Sequence, residues 1–298
     1  MKKLIVIGGP TAAGKTKVAL EIAKYLKTEI VSADSRQIYK ELNIGTAVPS
    51  SKELIEVKHH FIQNISILEP YNASKYEFAV LDLLEKLFKI YDNVVLVGGS
   101  GMYIDALCKG IDDLPTIDAK TRLLLTEREN NEGLINLVEE LKEIDLLSYQ
   151  TIDLKNPKRV LKALEVFYMT GKPYSSFLKH VNKNRSFETI KIAVNKERET
   201  LYNDINKRVL NMMDQGLENE AGKVHEFKNL TSVNTIGYRE MFAYFEQKTT
   251  LDEAIDLIQR NTRKYARKQI SWFNRGAEYQ WFDTHQLNQI IEFIKQKT

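Results

Sequence analysis

The chain has 298 residues, 43% of them hydrophobic and 28% charged, with a formal net charge of +3 at pH 7. That composition suits one large globular domain, or one domain carrying a smaller insertion. Its single cysteine, Cys108, excludes an internal disulfide and any multi-cysteine zinc module and fits a reducing cytosol, and no window has the apolar length needed to cross a bilayer. The expectation is therefore a cytoplasmic, membrane-free protein, taken to be a monomer.

Met1-Lys2-Lys3 opens like a leader, but the apolar run Leu4-Ile5-Val6-Ile7 is too short and passes into Gly-Pro-Thr, so Lys3 to Ile7 predicts a fully buried strand. Lys15 to Leu26 predicts a helix, with Val18, Ala19, Ile22, Ala23 and Leu26 at helical spacing. Glu29 to Ser32 reads as a short strand and Ser74 to Tyr91 as an amphipathic helix. Asn93 to Val97 is a further buried strand, ending in Gly98-Gly99-Ser100-Gly101. Strands separated by helices imply an α/β fold with a parallel sheet covered on both faces. Ligands of such sheets gather at the carboxyl ends of the strands, where the loops 8–16, 33–37 and 98–101 converge. From about Asp118 to Arg185 the strand signal disappears, and helical patterns are broken at Gly133, Pro157 and Gly171-Lys172-Pro173. Lys191 to Val194 reads as a strand rejoining the sheet, and Asp252 to Arg275 as a long helix. The predicted organisation is a core of residues 1–117 and 188–298 interrupted by an all-helical insertion, 118–187. Within the insertion the first part is acidic (Glu127, Glu129, Glu139, Glu140) and the later part basic (Lys155, Lys158, Arg159, Lys162, Arg185), an asymmetry that favours an anionic partner near the second part.

Between the first strand and the first helix stands Gly9-Pro10-Thr11-Ala12-Ala13-Gly14-Lys15-Thr16. Glycines let such a loop curl so that successive N–H groups and the helix N-terminus point at one anion. Lys15 adds a positive charge, and the Thr16 hydroxyl can take a Mg²⁺ coordination site. The motif is short, but it has the strand before and the helix after that phosphate binding requires. Asp34, in Asp34-Ser35-Arg36-Gln37, follows the second strand and faces this loop. It reads either as a helix N-cap or as a carboxylate at a reaction centre, with Ser35, Arg36 and Gln37 offering hydrogen-bonding groups to a polar substrate. The strand before Gly98 ends in glycines and Ser100 where a nucleotide hydrolase usually carries an acid, which counts against an ATP-driven motor. Ser100 reads either as a cap for the next helix or as a site hydroxyl. Guanine recognition is also missing, because Asn182-Lys183-Asn184-Arg185 and Asn195-Lys196-Glu197-Arg198 both lack the aspartate of an Asn-Lys-x-Asp signature. His59-His60 has no other ligand candidates nearby and reads as structural.

Residues 260–275 contain no acidic residue. On a helix, Arg260, Arg263, Lys264, Arg267, Lys268 and Arg275 fall within an arc of roughly 140°. Tyr265, Gln269, Trp272 and Phe273 centre on the other side. A wholly positive outer face is either ordinary solvation or the electrostatic footprint of a polyanion.

Taken together, these stretches resemble the tRNA dimethylallyltransferase (tRNA isopentenyltransferase) family. The resemblance rests on the 9–16 loop, Asp34-Ser35-Arg36-Gln37-Ile38-Tyr39, Ile44-Gly45-Thr46-Ala47 and Gly98-Gly99-Ser100-Gly101-Met102-Tyr103. It continues through Asn156-Pro157-Lys158-Arg159, Thr170-Gly171-Lys172-Pro173, Ile236-Gly237-Tyr238-Arg239-Glu240 and the block Thr262 to Phe273. It implies a P-loop NTPase-like fold whose loop holds the diphosphate of dimethylallyl diphosphate rather than ATP. The acceptor it implies is N6 of the adenine 3′-adjacent to the anticodon, in tRNAs reading codons that begin with U. Asp34 and Ser100 would be catalytic, residues 9–16 would bind diphosphate, and Mg²⁺ would be held through Thr16. Contacts to the tRNA anticodon stem-loop would come from Asp34, Ser35, Arg36, Gln37, Ser100, Arg122, Lys158, Arg159, Lys162, Arg263, Lys264 and Arg267. Two departures stand out: Ser100 replaces the family's usual Thr, and Lys162 its usual Arg, which turns a bidentate phosphate contact into a point charge. With one cysteine and an end at Thr298, the C-terminal zinc finger of eukaryotic relatives is not expected, which points to the bacterial form.

Three other functions remain open on the residues alone. An enzyme that prenylates free adenine nucleotides would need the loop and Asp34 but not the basic helix. A small-molecule P-loop kinase would bind ATP and use its insertion as a lid. A non-enzymatic RNA-binding protein would have no need to keep Lys15-Thr16.

Overall fold

The computed structural model describes residues 1–179 and 182–298. In chain order the described residues form β1 (Lys3–Gly8), α1 (Lys15–Leu26), β2 (Ile30–Ser32), α2 (Ser51–Glu56), β3 (His59–His60), α3 (Ala73–Leu87), β4 (Asn93–Val97) and α4 (Gly101–Lys109). Next come α5 (Ala119–Glu132), α6 (Leu134–Ile144), α7 (Leu146–Thr151) and α8 (Pro157–Thr170). The chain continues through β5 (Glu188–Asn195), α9 (Arg198–Asp214), α10 (Leu217–Lys223), α11 (Tyr238–Phe245), α12 (Leu251–Phe273), β6 (Gln280–Asp283) and α13 (Leu287–Lys295). They divide into two compact units, one of residues Met1–Cys108 and Asn184–Thr298, the other of Lys109–Lys183.

The first unit is a P-loop NTPase-like α/β fold, a six-stranded sheet in the order β3-β2-β4-β1-β5-β6 with every pairing parallel. Parallel strands buried on both faces read as unbroken apolar runs, and Leu4 to Ile7 and Val94 to Leu96 have no exposed surface at all. Ile5, Ile7, Val95, Ile192 and Val194 pack under Val18, Ala19, Ile22 and Ala23 of α1 and under Ile290 and Ile294 of α13. A second core joins Ile38, Tyr39 and Leu42 to Val209, Leu217, Tyr238, Met241 and Ile258 from α9 to α12. Among the described residues, no helix is long and apolar enough to cross a membrane.

The sequence missed two strands. The pair His59-His60 forms edge strand β3 beside Ile30 and Val31, and His60 Nε2 lies 2.5 Å from Glu29 Oε2. Strand β6 pairs with β5 from Ile192↔Gln280 to Asn195↔Asp283. The predicted 74–91 helix ends at Leu87, because the following N–H groups turn back on Lys86 and Leu87 to lead into β4.

The second unit packs α5, α6 and α8 around Leu125, Leu137, Leu141, Val160, Ala163 and Leu164. Its limits lie outside the sequence expectation at one end and inside it at the other. Lys183 N donates to Lys109 O, Lys179 N to Asp112 Oδ1 and Lys183 Nζ to Asp113 Oδ1, so residues 109–117 belong with the helices. Arg185 instead belongs to the first unit, its Nη2 2.7 Å from the buried Glu77 and its Nε bonded to Leu107 O. Part of the basic run in the sequence is thus spent on internal pairing.

Candidate active site

The loop between β1 and α1 is wedged against the sheet. A Cβ at Gly9, where φ is +132°, would lie 2.2 Å from Val194 O, so only glycine fits. Helix α1 begins after Gly14 with no side-chain cap, which leaves its first-turn N–H groups open to an anion. Lys15 Nζ donates to Pro10 O at 2.7 Å. Burial lowers the Lys15 pKa to about 8, the negative charge of Asp34 opposing and the positive charge of Arg208 reinforcing the shift. Lys15, Asp34 and Arg208 therefore share one electrostatic neighbourhood. Thr16 stands half-buried in the first turn of α1.

Asp34 combines both sequence readings. Its Oδ1 accepts from Arg36 N at 2.8 Å and Gln37 N at 3.3 Å, an Asx-type cap on a turn rather than on a helix. No described residue donates to its Oδ2, and the carboxylate is only partly buried. The Ser100 hydroxyl turns away from the following helix to the Asp34 loop, accepting from Ser35 N at 2.9 Å and donating to Ser35 Oγ at 3.1 Å. Arg36 and Gln37 face inward. Arg36 Nη1 donates to Thr231 O and Ser232 O, and Gln37 Nε2 to Thr46 O and Ala47 O, so both side chains fasten neighbouring loops.

Helix α12 lies against the 9–16 and 98–101 loops. Its Ala266 packs with Ala13, and Gln269 touches both the 9–16 and 98–101 loops. Trp272 Nε1 donates to Asp105 Oδ2 at 2.9 Å. Tyr265 is 40% exposed. Burial of its phenol and the nearby charge of Asp34 nonetheless push its pKa up to about 12, with the charge of Arg36 and hydrogen bonding by Ser100 and Gln269 acting the other way. Arg260, Lys264, Arg267 and Lys268 are exposed on the opposite side, whereas Arg275, expected on the same helix, lies past its end at Phe273 and stacks over Trp272 at 4.5 Å. Arg263 is half-buried and donates to Asn206 Oδ1.

Sequence reasoning passed over Arg208, Tyr265 and Gln269 as site residues. Arg208 shares the inner face of α9 with the buried Leu201, Ile205 and Val209, and burial lowers its pKa while Asp34 opposes. An arginine on an apolar stripe was the available signal, as was a glutamine between Ala266 and Phe273. In the second unit, Arg122 on α5 and Lys162 on α8 come together around Glu165. Arg122 Nε is 3.3 Å from Glu165 Oε1, and burial followed by Arg122 lowers the Lys162 pKa against the pull of Glu165. Lys158 and Arg159 are exposed at the start of α8.

A family model described as IPP transferase matches residues 37–276. The chain is 48% identical over 294 residues to tRNA dimethylallyltransferase 1 of Bacteroides fragilis, covering 99% of this chain and 98% of that protein. It is 49% identical over 291 residues to tRNA dimethylallyltransferase 1 of Phocaeicola vulgatus, covering 98% and 97%. The crystal structure of tRNA isopentenylpyrophosphate transferase from Bacillus halodurans is similar at 34% identity and a TM-score of 0.72, over 100% of this chain and 97% of that one. The full-length alignments take in the 9–16 loop and Asp34, which precede the residues matched by the family model. On this evidence the chain belongs to the IPP transferase family, a family of transferases.

Proposed function

We propose that this protein transfers the dimethylallyl group of dimethylallyl diphosphate to N6 of the adenine 3′-adjacent to the anticodon, in cytoplasmic tRNAs reading codons that begin with U. The products are N6-isopentenyladenosine and diphosphate. One observation supports the reading beside family membership: a helix N-terminus without a side-chain cap, with Lys15 and Arg208 nearby, and an Asp34 oxygen to which no described residue donates share one edge of the sheet. A kinase can use both features as well, since a carboxylate can also take the proton of a hydroxyl acceptor, so the choice of an amine acceptor rests on the family.

An exocyclic adenine amine is a weak nucleophile because its lone pair is delocalised into the ring. As N6 attacks C1 of the allyl group, the C1–O bond breaks and the N6 proton passes to Asp34 Oδ2. Loop N–H groups, Lys15 and Arg208 stabilise the charge that develops on the departing oxygen. Among the described residues, no group of three or more His, Cys, Asp or Glu side chains could hold a metal. Thr16 and the diphosphate oxygens suit Mg²⁺, which keeps several waters and takes few protein ligands, and which when bound would neutralise diphosphate charge. The target base must leave its stack to reach a pocket, and Tyr265, partly exposed beside Asp34 and Ser100, offers it an aromatic face. Arg122, Lys158, Arg159, Lys162, Lys264 and Arg267 would meet tRNA phosphates.

The deciding experiment offers labelled dimethylallyl diphosphate and Mg²⁺ to unmodified tRNA, with AMP and ATP in parallel reactions. Label on tRNA alone is expected. Label on a free nucleotide would replace the acceptor, and no label together with tight ATP binding would restore the kinase. The outer face of α12 is tested separately. The double variant Lys264→Gln, Arg267→Gln should weaken tRNA binding and flatten the dependence of log K on log salt by about 0.9 per lost phosphate contact to duplex stem. An unchanged slope in filter binding would make those charges ordinary solvated ones.

A further inference from the structure

Gln269 is a polar side chain only 5% exposed, on a helix face that it shares with the buried Ala266 and Phe273. Its two amide ends are both used. Thr11 N donates to Oε1 at 2.8 Å, and Nε2 donates to Gly99 O at 2.9 Å. The orientation is unambiguous, because a backbone N–H can only donate and a carbonyl only accept. A glutamate could not donate to Gly99, a lysine could not accept from Thr11, and a methionine could do neither. Gly99 is fitted to this contact, since a Cβ there would lie 2.2 Å from Gln269 Nε2 and 3.7 Å from Lys15 Nζ.

The two segments that Gln269 joins belong to different halves of the chemistry. Thr11 is in the loop that would carry diphosphate. Gly99 precedes Ser100, whose backbone N donates to Ala33 O and whose hydroxyl accepts from Ser35 N, on either side of Asp34. A continuous path runs from the diphosphate loop through Gln269, Gly99 and Ser100 to Asp34.

We infer that Gln269 is a positioning residue that sets the separation between the diphosphate loop and the carboxylate, and so the alignment of C1 with N6. This rests on the transfer reaction proposed above. Gln269 touches no reacting atom in that scheme, and its effect falls on the rate of transfer rather than on binding. A misplacement of about 1 Å from a change remote from the chemistry can cost about 100-fold in rate.

The test uses Gln269→Met, which keeps length and loses both hydrogen bonds, and Gly99→Ala, whose methyl drives the amide aside. For each, the single-turnover rate at saturating dimethylallyl diphosphate and tRNA is measured with the affinities for tRNA and inorganic pyrophosphate and the melting temperature. The expected signature in both variants is a rate lowered by about 10- to 100-fold with the two affinities unchanged. Wild-type rates in both would overturn the inference, as would a rate loss matched by lost pyrophosphate affinity and a lowered melting temperature. Failure of both variants to fold would make Gln269 a packing residue and overturn it too. If the wild-type protein transfers nothing to tRNA, the underlying reading fails instead, and that control separates the two.

Discussion

Asp34→Asn is expected to lower transfer to tRNA by a hundredfold or more while leaving tRNA affinity nearly intact. Asparagine is the informative replacement because its side-chain oxygen can still accept from Arg36 N and Gln37 N, so the turn that Oδ1 caps is preserved. Only the capacity of the second oxygen to take a proton is lost. General-base catalysis contributes about 10² to 10⁴ in rate, and a hundredfold loss corresponds to about 2.7 kcal/mol of transition-state stabilisation. Asp34→Ala would remove the cap as well and mix a folding cost with the chemical one. Single-turnover transfer beside filter binding of tRNA separates the outcomes. Parallel losses in rate and binding would make Asp34 a recognition or structural residue.

Lys15→Met should lower turnover by about 10²- to 10³-fold, the cost of removing one donor aimed at developing negative charge, and should weaken inorganic pyrophosphate binding. The pH dependence follows from the lysine's depressed pKa of about 8. Below that value Lys15 is charged in the ligand-free fold. Above it the charge is lost, so pyrophosphate affinity should fall as pH rises through 8. Stability runs the other way. Between pH 8 and the ordinary lysine value of 10.5 the unfolded chain holds a proton that the fold does not, so this residue makes the free protein more stable as pH rises through that window. Calorimetry of wild type and Lys15→Met across the window isolates the contribution as their difference. An identical pH dependence in the two would show that Lys15 titrates at its ordinary pKa.

Much of the fold was legible because its signals are local. The β1–loop–α1 unit is one contiguous stretch in which the apolar run, the glycines and the helical spacing occur in order, and the predicted helix Lys15 to Leu26 matches α1. β3 and β6 were not legible. A two-residue strand has no period of its own, and His59-His60 is a strand only because Ile30 and Val31 lie beside it. Trp281 and Phe282 follow a long helix closely, and the break between them depends on Gly276 at φ +70°. The site divides the same way. Loops 8–16, 33–37 and 98–101 could be placed at the carboxyl edge from strand order. The partners of Arg36 could not, since Thr231 and Ser232 are nearly two hundred residues away. Nor could the placement of Arg208 and Gln269, which depends on what faces the inner sides of α9 and α12.

The two-sidedness of α12 gives its positions very different freedom to change. Toward solvent, Lys264, Arg267 and Lys268 are exposed, and a long-range field depends on the sum of charges rather than on which side chain supplies each one. Those positions can trade lysine for arginine, or shift a charge by one turn, at little cost. Toward the loops, Ala266 meets Ala13, Gln269 meets Gly99, Trp272 crowds Gly101 and Phe273 crowds Gly8, the last three against glycines that leave no room for a Cβ. A change on that side requires a compensating change in a loop distant in sequence. A single helix thus carries an interchangeable face and a fixed one, so its outer charges can drift over evolutionary time while the spacing of the loops beneath it stays the same.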